Sequence, residues 1–183
     1  MNGATKKDGY PLPRIDDILD TLGETKYFSS LDLCSGYWQI ELHPESQPKS
    51  AFITSRGLYE FVRLPFGLCN GPSTFQRLME VVLSGLVWKS CFVYIDDVLV
   101  CLRSFEKHLS HLEVFSRLRH ANLRLKPRKC LFLREEVPYL GHVTRDGIKP
   151  DPTKTDKVRH YPVPMDGTQL RQFLGLASYY RRW

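Results

Sequence analysis

Two adjacent carboxylates, Asp96 and Asp97, stand between two apolar runs, and this constrains the fold more than any other stretch. Cys91-Phe92-Val93-Tyr94-Ile95 precedes them and Val98-Leu99-Val100-Cys101-Leu102 follows. Both runs have the length and the β-branched and aromatic content of buried strands, so the segment is expected to fold as a tight β-hairpin with the two aspartates as its loop. The loop chemistry is unfavourable, because two-residue hairpin loops prefer Asn-Gly or Asp-Gly, whose residues tolerate positive φ. A local rule broken inside a well-patterned segment is where function is expected. A divalent metal ion is the obvious occupant; a solvated hairpin tip is the plain alternative.

The remaining pattern mixes strands and helices. Gly9-Tyr10-Pro11-Leu12-Pro13 is an extended arm, and Ile15, Ile18, Leu19 and Leu22 have helical spacing that stops at Gly23. Tyr27 to Leu33 reads as a strand carrying Asp32, followed by a turn at Ser35-Gly36 into Tyr37-Trp38-Gln39-Ile40. Ala51 to Thr54 and Leu58 to Leu64 suit a hairpin. Pro72 opens a helix to about Leu83 with Phe75, Leu78, Met79 and Val82 on one face. A second amphipathic helix is expected from about Ser104, with Phe105, Leu109, Leu112, Phe115 and Leu118 inward and Asn122 as its stop. Cys130 to Leu133 and Val137 to Val143 read as an antiparallel pair, and two short helices follow from about Thr153 and Thr168. The sum is an α+β fold, an antiparallel sheet with helices packed on one face.

At 183 residues the chain is long enough for one domain, or for one domain with a small appendage. No apolar stretch approaches the roughly 20 residues that span a bilayer, so no membrane role is expected. The five cysteines form no Cys-x-x-Cys pair, which argues for reduced thiols in an intracellular protein and against a disulfide framework or zinc site. The net charge of +6 is concentrated late, in Arg117, Arg119, Arg124, Lys126, Arg128, Lys129 and Arg134 and again in Arg171, Arg181 and Arg182. A basic surface beside carboxylates suits a polyanion held next to a metal, although a solvated basic face remains the plain reading.

A site for phosphoryl or nucleotidyl transfer uses Mg²⁺ on few carboxylates plus substrate phosphates, and a two-metal version needs a carboxylate beyond the Asp-Asp pair. Asp32 is the candidate, against the plain reading of a strand-end aspartate. Asp16, Asp17 and Asp20 lie on a polar helix face. His108 and His111, at i and i+3, lack a third ligand and read as structural. Tyr37 and Trp38 alone would be core aromatics. Leu64-Pro65-Phe66-Gly67 followed by Asn70-Gly71-Pro72 is a rigid turn into a helix N-terminus, which suits a phosphate or a backbone-lined nucleotide pocket.

Together these motifs resemble one family. Tyr94-Ile95-Asp96-Asp97 is similar to the Tyr-x-Asp-Asp box of reverse transcriptases. Phe28 through Ile40 resembles the first catalytic motif of that family, and Leu64 through Gln76 its nucleotide-pocket motif. Tyr10 through Asp17, Tyr139-Leu140-Gly141-His142 and Phe173 through Arg182 resemble the gypsy-type LTR-retrotransposon branch. The resemblance implies a right-hand polymerase palm with an RRM-like sheet, acting as an RNA-directed DNA polymerase. Asp32, Asp96 and Asp97, with Leu33 beside them, would hold two Mg²⁺ ions, with Mn²⁺ as an alternative. Tyr37 would stack under the incoming sugar and exclude a 2′-hydroxyl; Phe66 and Gly67 would line the dNTP pocket, and Lys129 would sit near the leaving pyrophosphate. Gln76, Tyr94, Leu140 and Gly141 would face template and primer.

By the same resemblance, residues 1–149 would be palm with partial fingers and residues 150–183 the start of a thumb. Met1 would fall just after the fingers' basic segment, so the fingertip Lys and Arg would be missing, and Trp183 inside the thumb. Partners would be an RNA or DNA template with primer, dNTP, and the fingers, connection and RNase H regions of a parent polyprotein, in the cytoplasm within a virus-like particle or in the nucleus. Gly71 departs from the branch, which more often has Ala there, and this should loosen the turn. The alternative function is a catalytically inactive nucleic-acid-binding remnant; an unrelated Mg²⁺-dependent phosphatase or nuclease would leave the ordered motifs unexplained.

Overall fold

The structure is a computed structural model that describes residues 2–23, 25–102, 113–144 and 148–182. Its centre is a four-stranded antiparallel sheet of β1 (Tyr27–Asp32), β4 (Cys91–Tyr94), β5 (Asp97–Leu102) and β6 (Leu131–Arg134), in the order β4-β5-β1-β6. Two helices link these strands, α2 (Gly71–Val82) after β1 and α3 (Glu113–His120) after β5. The connectivity is therefore β-α-β-β-α-β, the split arrangement in which the first strand lies between the third and the fourth. This confirms the expected α+β class.

One correction follows from it. The expected pairing of 130–133 with 137–143 does not form: β6 crosses to pair with β1, while β7 (Pro138–Tyr139), β8 (His142–Val143) and β9 (Lys149–Pro150) make a separate three-stranded sheet. A neighbour in sequence loses to β1 because β1 offers an open edge above the same core. The small sheet takes in Pro150 as the last residue of β9.

Alternation along the strands divides their side chains between two faces. Leu31, Val93, Val98 and Val100 point to one face, where they bury Phe75, Met79 and Leu83 from α2 and the following turn, and Val114 and Leu118 from α3. Phe28, Phe92, Leu99 and Cys101 point to the other, where α1 (Ile15–Thr21) covers part of it with Ile18 and Leu19, joined by Val137 and Tyr139. So α2 and α3 share one face as expected, and α1 adds a smaller layer behind. The exposed part of that second face, at the β1 and β5 ends, is where the carboxylates emerge.

The helix ends follow local chemistry. Asn122 takes φ 55, and Leu123 N–H donates to Leu118 O at 2.9 Å while Asn122 N–H donates to Arg119 O at 2.9 Å, a Schellman end to α3. Asn122 is thus the expected stop; Phe105, His108, Leu109, His111 and Leu112 lie outside the described residues. α4 (Pro152–Arg159) and α5 (Gly167–Tyr179) are capped by Asp151 and Asp166, whose carboxylates accept from backbone N–H groups of their first turns. β2 (Phe52–Thr54) and β3 (Gly57–Tyr59) form a hairpin exposed on both faces. No helix among the described residues is long and apolar enough to cross a membrane, and all five cysteines are free thiols.

Candidate active site

The β4–β5 turn does not use the two aspartates as its loop. Tyr94 pairs with Asp97, so the loop is Ile95-Asp96 and Asp97 is the first residue of β5. Ile95 takes φ 56, a conformation that a β-branched side chain rarely adopts. The one-residue shift sets Asp97 directly across from Asp32 in the β1–β5 register. Like charges face each other across the strands, an arrangement that costs stability unless a cation lies between them.

Electrostatics bear this out. Burial pushes the Asp97 carboxyl up to about 6, with Asp96 and Asp32 adding to the rise and Lys129 opposing it. The Lys129 ammonium donates to Asp32 Oδ2 at 2.9 Å, and this bond and the Asp32 charge raise its pKa. Lys129 ends a short 3₁₀ turn, Pro127–Lys129, that is tied to the site because Lys126 N–H donates to Asp32 O at 2.9 Å. Leu33 turns its side chain into the core, and its N–H donates to Asp96 O at 3.3 Å.

The donor set is all oxygen at one end of the sheet, and its charges repel one another, which fits a hard divalent cation. Among the described residues no three ligating side chains converge as a preformed metal cluster. Lys129 occupies one oxygen of Asp32, Oδ2, at 2.9 Å.

Behind Asp96 the chain packs closely. A Cβ on Gly36 would lie 3.3 Å from Asp96 Cβ and 3.3 Å from Phe75 Cζ, so the absence of a side chain there lets the Gly36–Gln39 turn lie against the carboxylate. Tyr37 follows, half-buried against Phe66 and Phe75 with ring centroids at 5.1 and 5.8 Å. Burial, then the Asp96 charge, raises the Tyr37 pKa. Trp38 meets Phe66 edge-on at 5.7 Å and is exposed rather than core. Phe66 is exposed and Gly67 takes φ 90, so both sit in an open turn beside Tyr37. A Cβ on Gly71 would rest 3.6 Å from the Tyr37 ring, an ordinary contact; the space left by this glycine lies under Tyr37.

Gln76 departs from expectation. It does not face a template surface: its side chain is fully buried. Its Oε1 accepts from Ile95 N–H at 2.7 Å, and its Nε2 donates to Val93 O at 3.1 Å and Glu80 Oε1 at 2.8 Å. Gln76 clamps the strained turn from within. Helical periodicity hides this role, because Gln76 flanks the apolar face; the i,i+4 pairing with Glu80 is the signal that finds it.

Leu140 and Gly141 form the two-residue loop between β7 and β8, with φ 46 and 75. Tyr179 O–H at the end of α5 donates to Leu140 O at 2.6 Å. Tyr94 is half-buried against the α1 layer, one residue before the strained loop.

A family model for reverse transcriptase (RNA-dependent DNA polymerase) matches residues 1–144, and the chain belongs to this family. It is 49% identical over 186 residues to the Retrovirus-related Pol polyprotein from transposon 412 of Drosophila melanogaster, covering 100% of this chain and 15% of that protein. Identity is 46% over 185 residues to the transposon 297 polyprotein, covering 100% of this chain and 18% of the relative, and 45% over 183 residues to that of transposon gypsy, covering 99% and 18%; both are from the same fly. These similarities place it in the gypsy-type LTR-retrotransposon branch, and the chain spans less than a fifth of these relatives. The foamy viral protease-reverse transcriptase in complex with double-stranded DNA superposes with a TM-score of 0.90 at 28% identity, covering 98% of this chain and 32% of that one. Its complex with RNA/DNA hybrid gives 0.86 at 28% identity, covering 98% and 25%. The fold is therefore that of a reverse transcriptase palm.

Proposed function

We propose that this chain carries the nucleotidyl-transfer centre of an RNA-directed DNA polymerase, adding dNTPs to a primer 3′-hydroxyl on an RNA or DNA template. The carrying observation is the register: Asp32 lies opposite Asp97, and Asp96 occupies the adjoining turn beside Tyr37. Asp32, Asp96 and Asp97 are the residues to hold two Mg²⁺ ions, with a role for the Leu33 carbonyl because its side chain is turned away. When bound, the ions supply the charge that lowers the pKa of the 3′-hydroxyl and neutralises the triphosphate.

Lys129, which bonds Asp32 in this structure, would be a donor for the leaving pyrophosphate if metal ions held the carboxylates. Tyr37 is seated on the Gly71 backbone and braced by Phe66 and Phe75, which supports a role as the ring that would stack under the incoming sugar and exclude a 2′-hydroxyl. Phe66 and Gly67 edge the nucleotide pocket, while Leu140 and Gly141, with Tyr94, face the primer end. Residues up to about 149 serve as palm and partial fingers, and α4 with α5 as the base of a thumb. The solved relatives held with double-stranded DNA or RNA/DNA hybrid support a duplex across the exposed sheet face.

Purified protein with Mg²⁺, primer–template and dNTPs is expected to extend the primer, and Asp96→Asn to abolish extension. Equal, negligible extension by both proteins sinks the proposal for this chain. A second reading has its own observation: no three ligands converge among the described residues, and Lys129 holds Asp32. A non-catalytic nucleic-acid-binding module would bind primer–template in a salt-sensitive way without incorporation.

A further inference from the structure

The buried clamp on the catalytic turn does not end at Gln76. Glu80, one turn further along α2, accepts from Gln76 Nε2 through Oε1, and its Oε2 accepts from the Tyr10 hydroxyl on the N-terminal arm. Tyr10 is fixed in turn. The Arg77 guanidinium lies over its ring at 4.7 Å and makes two bonds to Asp8, at 2.8 and 2.7 Å, while Asp8 N–H donates to Asn70 Oδ1 at 3.0 Å. A continuous path thus runs from the arm, across α2, to the backbone N–H of Ile95.

We propose that Glu80, oriented by Tyr10, is a positioning residue for Asp96 that acts by fixing which way the Gln76 carboxamide faces. The inference rests on the nucleotidyl-transfer reading of the site. A glutamine amide fills nearly the same volume in either orientation but exchanges a donor for an acceptor. A carboxylate only accepts, so Glu80 requires the Gln76 NH₂ on its side, as the Val93 carbonyl does. Oε1 is thereby left for Ile95 N–H. The reverse orientation sets oxygen against oxygen at two places and N–H against N–H at the third.

The consequence reaches the carboxylates through geometry. Ile95 holds φ 56 against its intrinsic preference, and the bond from its N–H is the restraint at the residue itself. Asp96 follows immediately, in the narrow space left by Gly36. A turn freed to relax would carry Asp96 away from its place beside Asp97. The α2 side chain that bonds the turn therefore depends on a tyrosine 70 positions away from Glu80 in sequence, and the arm becomes part of the machinery that aims Asp96.

The test uses the full chain, ¹⁵N-labelled, in three variants. Glu80→Leu keeps the bulk and removes the acceptor. Glu80→Gln can still accept from Gln76 through its oxygen and donate to the Tyr10 oxygen, so it serves as the conservative rescue. Tyr10→Phe removes only the outer bond. Hydrogen exchange at the Ile95 amide is expected to quicken about tenfold in Glu80→Leu, the scale of one lost charge-assisted hydrogen bond, and less in Tyr10→Phe. The Val98 amide in β5 is expected to hold its wild-type rate. In primer extension the maximal rate should fall by about the same factor with the KM for dNTP unchanged. Glu80→Gln should restore both.

An unchanged Ile95 rate in Glu80→Leu overturns the inference, as does a uniform acceleration of all sheet amides or a Glu80→Gln that behaves like Glu80→Leu. A wild-type chain that extends no primer defeats the polymerase reading alone, because Ile95 exchange still decides the relay.

Discussion

The β4–β5 and β7–β8 turns have the same length, and each places a bulky apolar residue at positive φ, Ile95 at 56° and Leu140 at 46°. Their supports differ. The first is held from beneath by Gln76, which is fully buried between α2 and the sheet. The second is held from outside, by the Tyr179 hydroxyl on Leu140 O and by the Tyr180 hydroxyl packed against Gly141. Those tyrosines close α5, a helix with no buried residue. One turn is thus set by the formation of the palm core, while the other depends on a helix that buries no residue of its own. The turn bearing a carboxylate should therefore loosen only when its buried Gln76 clamp is disturbed, and the turn assigned to the primer should loosen when α5 does.

The sharpest way to break this contrast is Gln76→Leu. The variant keeps the volume but leaves Ile95 N–H and Val93 O without their side-chain partner, at a cost of about 3 kcal/mol in global stability. Urea unfolding is expected to show a lower midpoint with an unchanged slope. A loss below about 1 kcal/mol, the scale of one ordinary hydrogen bond, would mean the turn is not locked to the core. Gly141→Ala comes next. Its Cβ would stand 2.8 Å from Tyr180 Oη at φ 75, so either the turn or the helix must move. A local loss of about 2 kcal/mol is expected from the combined strain and displacement. It should appear as faster hydrogen exchange in α5, with β4 and β5 unaffected.

The same contrast explains what sequence could and could not reveal. The β1, β4 and β5 runs were legible because their β-branched and aromatic residues face a core on both sides. The Asn122 stop was legible because asparagine is among the few side chains that tolerate that φ. The loop was misplaced by one position because an isoleucine at positive φ contradicts every local preference. The Asp32–Asp97 register and the Gln76 bond, both long-range, compensate for it. The β6 pairing failed for a related reason: proximity in sequence favours a hairpin, and an open edge on β1 outweighs it. The grouping of Asp32 with Asp96 and Asp97 is suggested by their motif, but the Lys129 bond to Asp32 comes from a turn folded against β1 from nearly a hundred residues away.

Asp97 probes the carboxylate end of the comparison. Its carboxyl titrates at about 6 in the folded chain, raised by burial and then by Asp96 and Asp32. The folded chain therefore binds this proton more tightly than the unfolded chain, and stability should fall as pH rises from about 4 to about 6. Asp97→Asn removes that dependence and is expected to stabilise the protein at pH 7 by about 1–2 kcal/mol, after allowing for solvent screening of a half-exposed group. Thermal melts of both proteins across that pH range measure it. A variant no more stable than wild type would mean that Lys129 already balances the carboxylates.

The smallest effect expected is the most selective. Tyr179→Phe deletes one hydroxyl that donates to Leu140 O at 2.6 Å and leaves the ring in contact with His142 and Tyr180. An exposed hydrogen bond of this kind contributes about 0.5–1 kcal/mol, which should be invisible in global unfolding. It should still be visible locally, because Leu140 keeps its positive φ with one restraint fewer, and α5 loses the hydrogen bond that joins its end to the turn. Exchange at the β7–β8 turn and in the last turn of α5 should rise together, with Ile95 unaffected. If Ile95 exchange rises as well, the two turns share a support that crosses the sheet, and the division between a core-locked and a helix-held turn fails. If only α5 responds, Leu140 is held by its own hairpin, and the tyrosine merely rests on it.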